Sequence, residues 1–485
     1  MLFNSISFAV FLPIVFILYW FVVNKSLKQQ NILLLIASYY FYSCWDWRFL
    51  FLLAFSTFLD YFSGLAIHRA ESQKSRKFWL ILSIGINLGF LAFFKYYNFF
   101  VESFADLVGQ FGFNPNISTL NIILPVGISF YTFHGLSYVL DIYNRKIEPS
   151  TNWVHYSLFV SFFPLLVAGP IERATHLLPQ VERKRNFDYT RAVDGLRQIL
   201  WGFIKKIVIA DNCAEYANMI FNNSSAYSSG VLIIGAVLFA FQIYGDFSGY
   251  SDIALGVARL FGFELLKNFN FPYFSRDIAE FWRRWHISLS SWFKDYLYIP
   301  LGGSRGGLWM SIRNTFIIFL VSGFWHGANW TFIVWGGLNA LFIMPSIIFR
   351  TNRSNLDIVA KGRLFPNWRE LLQIATTFIL TVLAWIFFRA ASLDHAFSYI
   401  GGIFSHVGDG YIPLQSNELR GTFICFLLII PFVMIEWLGR EQNYAIEKIG
   451  FIWPRIIRWS FYSIMLFVIL MYMQTGGTEF IYFQF

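Results

Sequence analysis

Cysteine is scarce. Cys44, Cys213 and Cys425 stand far apart in 485 residues and form no CxxC pair, so neither a disulfide scaffold nor a zinc site is expected. Charge is scarce as well: Lys and Arg number 37 and Asp and Glu 28, together 13% of the chain, against roughly 25% in soluble domains. A G-x-S-x-G elbow and a P-loop are both missing, so serine-hydrolase and ATPase readings lack their defining geometry. No internal repeat of roughly 20–50 residues is visible, and nothing is low-complexity. The N-terminus turns apolar at once, without a basic n-region or an A-x-A site. The first apolar stretch is therefore expected to stay as a span and not to be a removed signal peptide.

What fills the chain is apolar. Hydrophobic residues make up 56% and aromatics 21%, more than a water-soluble fold can hide. The runs are long and continuous, as in Phe8–Val23 and Thr315–Val321, not the roughly 10-residue alternating segments of an outer-membrane barrel. The expected fold is all-α: a polytopic membrane protein of about ten to fourteen helices, some re-entrant, at about 20 residues per crossing. It is read as a single domain, 1–485. The net charge of +9 fits basic cytoplasmic loops, and no nucleic-acid partner is expected.

Clear spans are expected near Ser7–Val23, Asn31–Cys44, Phe49–Ile67, Phe78–Phe100, Ile122–Tyr143, Ala192–Ile209, Val231–Leu260, Ser311–Trp325, Trp330–Phe349, Leu371–Phe388, Thr422–Leu438 and Ile457–Met473. Lys25 and Lys28 after the first span, and Arg69, Lys74, Arg76 and Lys77 after the third, put those loops inside and the N-terminus outside. The basic loop Thr351–Glu370 reads as cytoplasmic. Two stretches resist assignment. Val154–Gly169 carries Pro164, ends in Gly169-Pro170 and breaks the charge parity, so it is expected to be re-entrant. Ser275–Tyr298 has a helix's apolar residues but also eight ionisable ones.

Ionisable groups at membrane depth are costly, of order 2.5–3.5 kcal/mol each, and three stretches concentrate them. In Phe241–Asp252, Gln242, Asp246 and Tyr250 share a helical face, and Asp252 points elsewhere. A polar seam between helices is the plain explanation. In Phe281–Trp292, Trp282, His286 and Ser290 follow i, i+4, i+8 spacing, as one helical face would. Indoles and guanidiniums at a headgroup layer explain the Trp and Arg residues there, but not the imidazole. In Val321–Trp330, Gly323 and Gly327 make a close-packing G-x-x-x-G around Trp325 and His326, with Asn329 following. A lone buried histidine is more often structural than catalytic, and two histidines 40 residues apart without Cys, Asp or Glu at ligand spacing indicate no metal. Chemistry alone leaves a histidine base in a membrane cavity or a proton-coupled transporter.

The ordered motifs carry more. Met1-Leu-Phe-Asn-Ser5, Leu124-Pro-Val-Gly-Ile-Ser-Phe-Tyr-Thr-Phe133, Ala168-Gly-Pro-Ile171, Gln242-Ile-Tyr-Gly-Asp-Phe-Ser-Gly-Tyr250, Phe281-Trp-Arg-Arg-Trp-His286, Asp295-Tyr-Leu-Tyr-Ile-Pro-Leu-Gly-Gly303, Gly323-Phe-Trp-His-Gly327 and Phe480-Ile-Tyr-Phe-Gln-Phe485 together resemble the membrane-bound O-acyltransferase family. The similarity is to its bacterial alginate and polysaccharide O-acetyltransferase branch and runs nearly end to end. The resemblance implies a catalytic core near 122–350 and a central tunnel, with His326 and His286 facing each other across it. His326 would be the base, and His286 would orient the donor or the developing oxyanion. Trp282, Ser290, Gln242, Asp246, Tyr250, Trp325 and Asn329 are candidate tunnel and substrate contacts.

The same resemblance implies no tightly bound cofactor. The donor would be acetyl-CoA or another acyl thioester from the cytoplasm. The acceptor would be an extracytoplasmic polysaccharide, reached through a separate partner acetyltransferase, and the location the bacterial inner membrane. Arg173 and Arg183–Arg185 are candidates to attract a CoA phosphate, although positive-inside topology explains them equally well. D-alanyl transfer to teichoic acid is the alternative within the family. The lipid-modifying relatives usually carry Asn where this chain has His286.

Overall fold

A computed structural model of the protein describes residues 1–113, 119–167, 169–408 and 414–473. The closing motif Phe480–Phe485 and Ala168 lie outside the described residues. Every regular element among the described residues is helical, and they divide into two compact units.

The first unit comprises Met1–Ala192 with Ala258–Leu266. It holds α1 (Ile6–Ile17), α2 (Leu27–Ser43), α3 (Arg48–Arg69), α4 (Gln73–Leu91), α5 (Tyr97–Gly109), α6 (Ile128–Tyr143), α7 (Trp153–Ser161), α8 (Phe163–Leu166) and α9 (Ala174–Glu182). Ser5, Ser26, Ser72 and Asn152 cap α1, α2, α4 and α7 by accepting from backbone N–H groups of the first turn. The expected span from Ile122 becomes helical only at Ile128. Pro125 lacks an amide donor, and Gly127, at φ 76°, turns the chain into α6. The stretch expected to be re-entrant is a helix broken at Phe162. Its nine-residue first piece spans only about 14 Å at 1.5 Å per residue, too short for a crossing.

A polar seam holds α3 to α4. Asp60 Oδ1 accepts from Ser83 Oγ at 2.6 Å and Asn87 Nδ2 at 2.8 Å, and Ser56 Oγ donates to Asn87 Oδ1 at 2.6 Å. Such bonds tie membrane helices where a hydrophobic driving force is weak. Gly135 of α6 lies against the Asp60 carboxylate, where a Cβ would meet Oδ2 at 1.9 Å.

The second unit comprises Val193–Val257 with residues 267 onward. It holds most of α10 (Tyr189–Phe203), then α11 (Asp211–Asn222), most of α12 (Ser229–Leu260), α13 (Ile278–Arg284), α14 (Ile287–Phe293), α15 (Gly307–His326), α16 (Trp330–Ile348), α17 (Trp368–Arg389), α18 (Leu393–Ser405), α19 (Ser416–Leu438) and α20 (Arg455–Tyr472). A π-helical segment, Ile204–Ala210, joins α10 to α11 and buries Lys205 and Lys206. α15 and α16 form a tight hairpin. A Cβ on Gly323 would sit 2.2 Å from the Phe332 carbonyl oxygen, and one on Gly336 would sit 2.3 Å from that of Phe319. The close packing expected of Gly323 is therefore real, whereas Gly327 follows the helix end and seats on the Phe332 ring.

Eight helices among the described residues are long and apolar enough to cross a membrane: α3, α4 continuing through α5, α12, α15, α16, α17, α19 and α20. Other expected crossings are shorter or more polar. Ile6–Val22 is a shorter apolar helix, and the α10 stretch carries its paired lysines and Asp194 inside. The chain is a multi-pass membrane protein.

Candidate active site

The stretch Ser275–Tyr298 is two short helices with a break between them. α13 is capped by Asp277, whose side chain accepts from the Glu280 amide, and ends at Arg284. Trp285 is extended, and His286 occupies the left-handed region at φ 44°, ψ 53° before α14 starts. The i, i+4, i+8 face expected of Trp282, His286 and Ser290 does not exist as a single helical face. A non-glycine residue in this region costs of order 1–3 kcal/mol and persists only where its surroundings over-determine it. Here they do so through Asn268. Its carbonyl accepts from Ile287 N at 2.9 Å, and its side-chain Oδ1 lies 2.9 Å from both His286 Nδ1 and Ser288 Oγ.

The arginines of this stretch are engaged by protein partners. Glu280, fully buried, pairs with Arg276 at 3.1 Å and Arg284 at 2.7 Å. Arg283 donates to the carbonyls of Asn352 at 2.7 Å and Asn355 at 2.8 Å. Arg276 also reaches Asp357 at 2.9 Å, and this hydrogen bond holds the Asp357 carboxyl below the usual carboxylate range. α13 is thus pinned to the basic loop after α16.

His326 is the last residue of α15. Its ring lies 5.0 Å from Trp335, 5.5 Å from Phe388, 4.8 Å from Trp325 and 6.5 Å from the His286 ring. His286 is in turn walled by Phe247, at 4.6 Å, and by Trp325, at 6.2 Å. The two imidazoles picked out 40 residues apart in the sequence therefore meet in an aromatic box, each at most 3% exposed. Among the described residues, His286 Nε2 has no hydrogen-bond partner.

A cavity of about 710 Å³ is walled by residues of α13, α14, α15 and α16, among them Ile287 and Ser322 but neither histidine. Arg350, Arg353 and Lys294 contribute cationic side chains to its wall, and Trp282, Ser290 and Ser322 contribute others. Ser322 precedes His326 by one turn of α15. The Trp282 indole donates to Asn339 Oδ1 at 3.2 Å and meets Trp335 at 5.7 Å, and Trp335 abuts His326. The cavity is thus cationic in part and apolar along its helices, and its wall includes Ile287, next to His286, but neither imidazole. That combination suits an anionic carrier bearing a small acyl group.

The other candidates lie elsewhere. Asp246 pairs with Lys206 at 2.7 Å, Lys206 also pairs with Asp211 at 2.8 Å, and the Lys206 ammonium sits 5.7 Å from the Tyr250 ring. Asp252, on another face as expected, pairs with Lys205 at 3.0 Å, as does Glu436. Gln242 is buried on α12. Asn329 caps α16, accepting from Thr331 N at 3.0 Å and donating to the Ala391 carbonyl. Arg185, considered for phosphate attraction, is buried and spent on Tyr19, Asn31 and the Gln180 carbonyl. Sequence reasoning missed Asn268, Trp335 and Phe388. Trp335 and Phe388 read as ordinary span residues. The polar run Lys267–Asn270 in an otherwise apolar stretch was the one signal available for Asn268.

Comparison with known proteins places the chain in a family. The profile of the membrane-bound O-acyltransferase family matches residues 149–388, a span that contains both histidines. The "Probable alginate O-acetylase AlgI" of Pseudomonas putida is 37% identical, with 100% of each chain covered. The "Peptidoglycan O-acetyltransferase" of Helicobacter pylori is 36% identical over 83% of this chain and 80% of its own. The "Teichoic acid D-alanyltransferase" of Bacillus subtilis is 27% identical over 58% of this chain and 72% of its own. With a near end-to-end relative at this identity and a buried histidine pair inside the matched span, the chain belongs to the membrane-bound O-acyltransferase family.

Proposed function

We propose that this membrane O-acetyltransferase takes an acetyl group from acetyl-CoA on the cytoplasmic side and passes it outward for O-acetylation of an extracytoplasmic polysaccharide. A separate extracytoplasmic acetyltransferase completes the transfer. The chain sits in the bacterial inner membrane with its N-terminus outside, and residues 1–485 act as one membrane domain with a catalytic core near 122–350. The observation that carries this reading is the buried His286–His326 pair, with ring centroids 6.5 Å apart; a cavity partly lined by cations includes Ile287, the residue after His286, in its wall. The names of the more similar relatives, both O-acetyl transferring, support acetyl over D-alanyl.

The chemistry follows from the residues. A hydroxyl attacking a thioester carbonyl must give up its proton. A neutral imidazole accepts it and returns it to the departing thiolate, so no net proton is consumed. His326 takes this role, and His286 faces the same space and orients the reacting groups. The aromatic walls keep water from competing for the thioester. Arg350, Arg353 and Lys294 suit the phosphates of the donor.

The test compares wild type with His326→Ala at matched expression in a strain deleted for the protein. Mild alkali releases ester-linked acyl groups from envelope and secreted glycan for quantification. Loss of acetate with unchanged helical content is expected. Loss of D-alanine in its place would move the reading to teichoic-acid alanylation, and retained acetate would overturn the role of His326.

A further inference from the structure

We propose that Asn268 is a positioning residue that fixes both the backbone and the tautomer of His286, so that His286 presents Nε2 to the reaction space as an acceptor. The proposal rests on the reading above, in which His286 takes part in acyl transfer.

The amide of Asn268 is 1% exposed and its hydrogen-bonding capacity is spent locally. Nδ2 donates to Ser251 Oγ of α12 at 3.0 Å, and Ser288 Oγ donates to Oδ1 at 2.9 Å. With Oδ1 also 2.9 Å from His286 Nδ1, the amide in this orientation takes its hydrogen bond from a protonated Nδ1, because an amide oxygen can only accept. The lone pair then lies on Nε2, which is buried and has no hydrogen-bond partner among the described residues. An Nε2 in this state cannot donate to an oxyanion, the role the resemblance suggested for His286. It can accept a hydrogen bond from a bound reactant and so orient it, while His326 takes the proton of the attacking hydroxyl.

The same residue secures the break that aims the ring. The Asn268 carbonyl holds the Ile287 amide, the first N–H after the left-handed His286, at 2.9 Å. One side chain and its own peptide group thus engage three consecutive residues: His286 through its ring, Ile287 through its amide and Ser288 through its hydroxyl. Ser251 ties the arrangement to α12, the longest helix among the described residues. The titratable groups facing the unit are His326 on one side and Lys205, Tyr244, Asp252 and Lys267 on the other. Those four surround a cavity of about 20 Å³ that Asn268 also lines, room for about one water molecule.

The test uses the full-length protein in membranes, with acetyl transfer from acetyl-CoA measured across pH. Asn268→Leu removes the acceptor and is expected to lower kcat about 100-fold, the scale of a mispositioned proton-transfer group, with the KM for acetyl-CoA changed less than about threefold. Asn268→Asp keeps the acceptor and adds charge. It is expected to retain more than a tenth of kcat and to move the acidic limb of the pH profile upward, because a carboxylate beside Nδ1 favours the protonated ring.

Wild-type kcat in Asn268→Leu, or an unmoved acidic limb in Asn268→Asp, would overturn the proposal. Histidine-selective 15N solid-state NMR reads the tautomer without activity. The signal pair absent from His286→Gln should show protonated Nδ1 in wild type, and protonated Nε2 there would overturn the assignment. Full activity of His286→Gln together with the expected tautomer would instead remove the catalytic reading while leaving the role of Asn268 toward the ring intact.

Discussion

At the scale of single residues, the buried charges sort by their partners. Asp246 and Asp211 both pair with Lys206, and removing one carboxylate from this buried set is destabilising, by less than the about 3–5 kcal/mol of a stranded charge because the other still pairs the ammonium. Asp246→Asn is therefore expected to lower the thermal unfolding midpoint and membrane abundance while acetyl transferred per folded molecule stays near wild type. A stable variant without activity would place Asp246 in the catalytic site instead. His176 illustrates a milder effect. The hydrogen bond to buried Glu172, 2.8 Å away, raises the imidazole pKa above its ordinary 6.5. A raised folded-state value stabilises fully below pH ~6.5 and fades as pH climbs through the folded pKa. Thermal unfolding should thus occur at lower temperature at pH 8 than at pH 6, and His176→Gln should flatten that dependence. Glu172 and His176 were invisible as a pair in the sequence except by their i, i+4 spacing.

At the scale of elements, the reaction depends on where helices stop. α15 ends at His326 because the Gly323 contact draws α16 close and Gly327 turns away on Phe332. Gly323→Ala pushes a methyl group into backbone and is expected to cost about 1–3 kcal/mol, with a parallel fall in acetyl release as the imidazole shifts. Full activity and stability would mean the hairpin can relax there. α13 depends on its arginine pins. Arg283→Ala frees the carbonyls of Asn352 and Asn355 and loosens the loop that lines the cavity. The KM for acetyl-CoA is expected to rise about tenfold, equivalent to about 1.4 kcal/mol, with kcat less affected; an unchanged KM would detach this loop from donor binding. Hydropathy made the long helices legible. Pro164 marked the break at Phe162, but hydropathy could not place the one at His286, which lies in a stretch whose apolar residues would suit a continuous helix and whose path is decided by distant partners such as Asn268.

At the scale of the whole molecule, orientation is the outstanding property that charge alone predicts. With the three cysteines replaced, the Arg353→Cys variant should be labelled by a membrane-impermeant maleimide in inverted vesicles and not in intact cells. An Asn4→Cys variant should behave in the opposite way. The reverse pattern would invert the topology and place the cations of the cavity wall on the side away from a cytoplasmic donor.

Composition settled that the chain lives in a membrane as helices, because 13% charge and 56% hydrophobic residues leave no soluble alternative. Motif order singled out His286 and His326. Only the tertiary structure decided that their rings meet, that Asp246 and Tyr250 serve an ion cluster elsewhere, and that Trp282 and Ser290 share a cavity without sharing a helix. The reason is physical. Periodicity along the chain reports which side of one helix is apolar. A left-handed residue at a helix break, a ring held by an amide from another segment and a carboxylate matched to a lysine are set by contacts between residues far apart in sequence, and local pattern carries no trace of them.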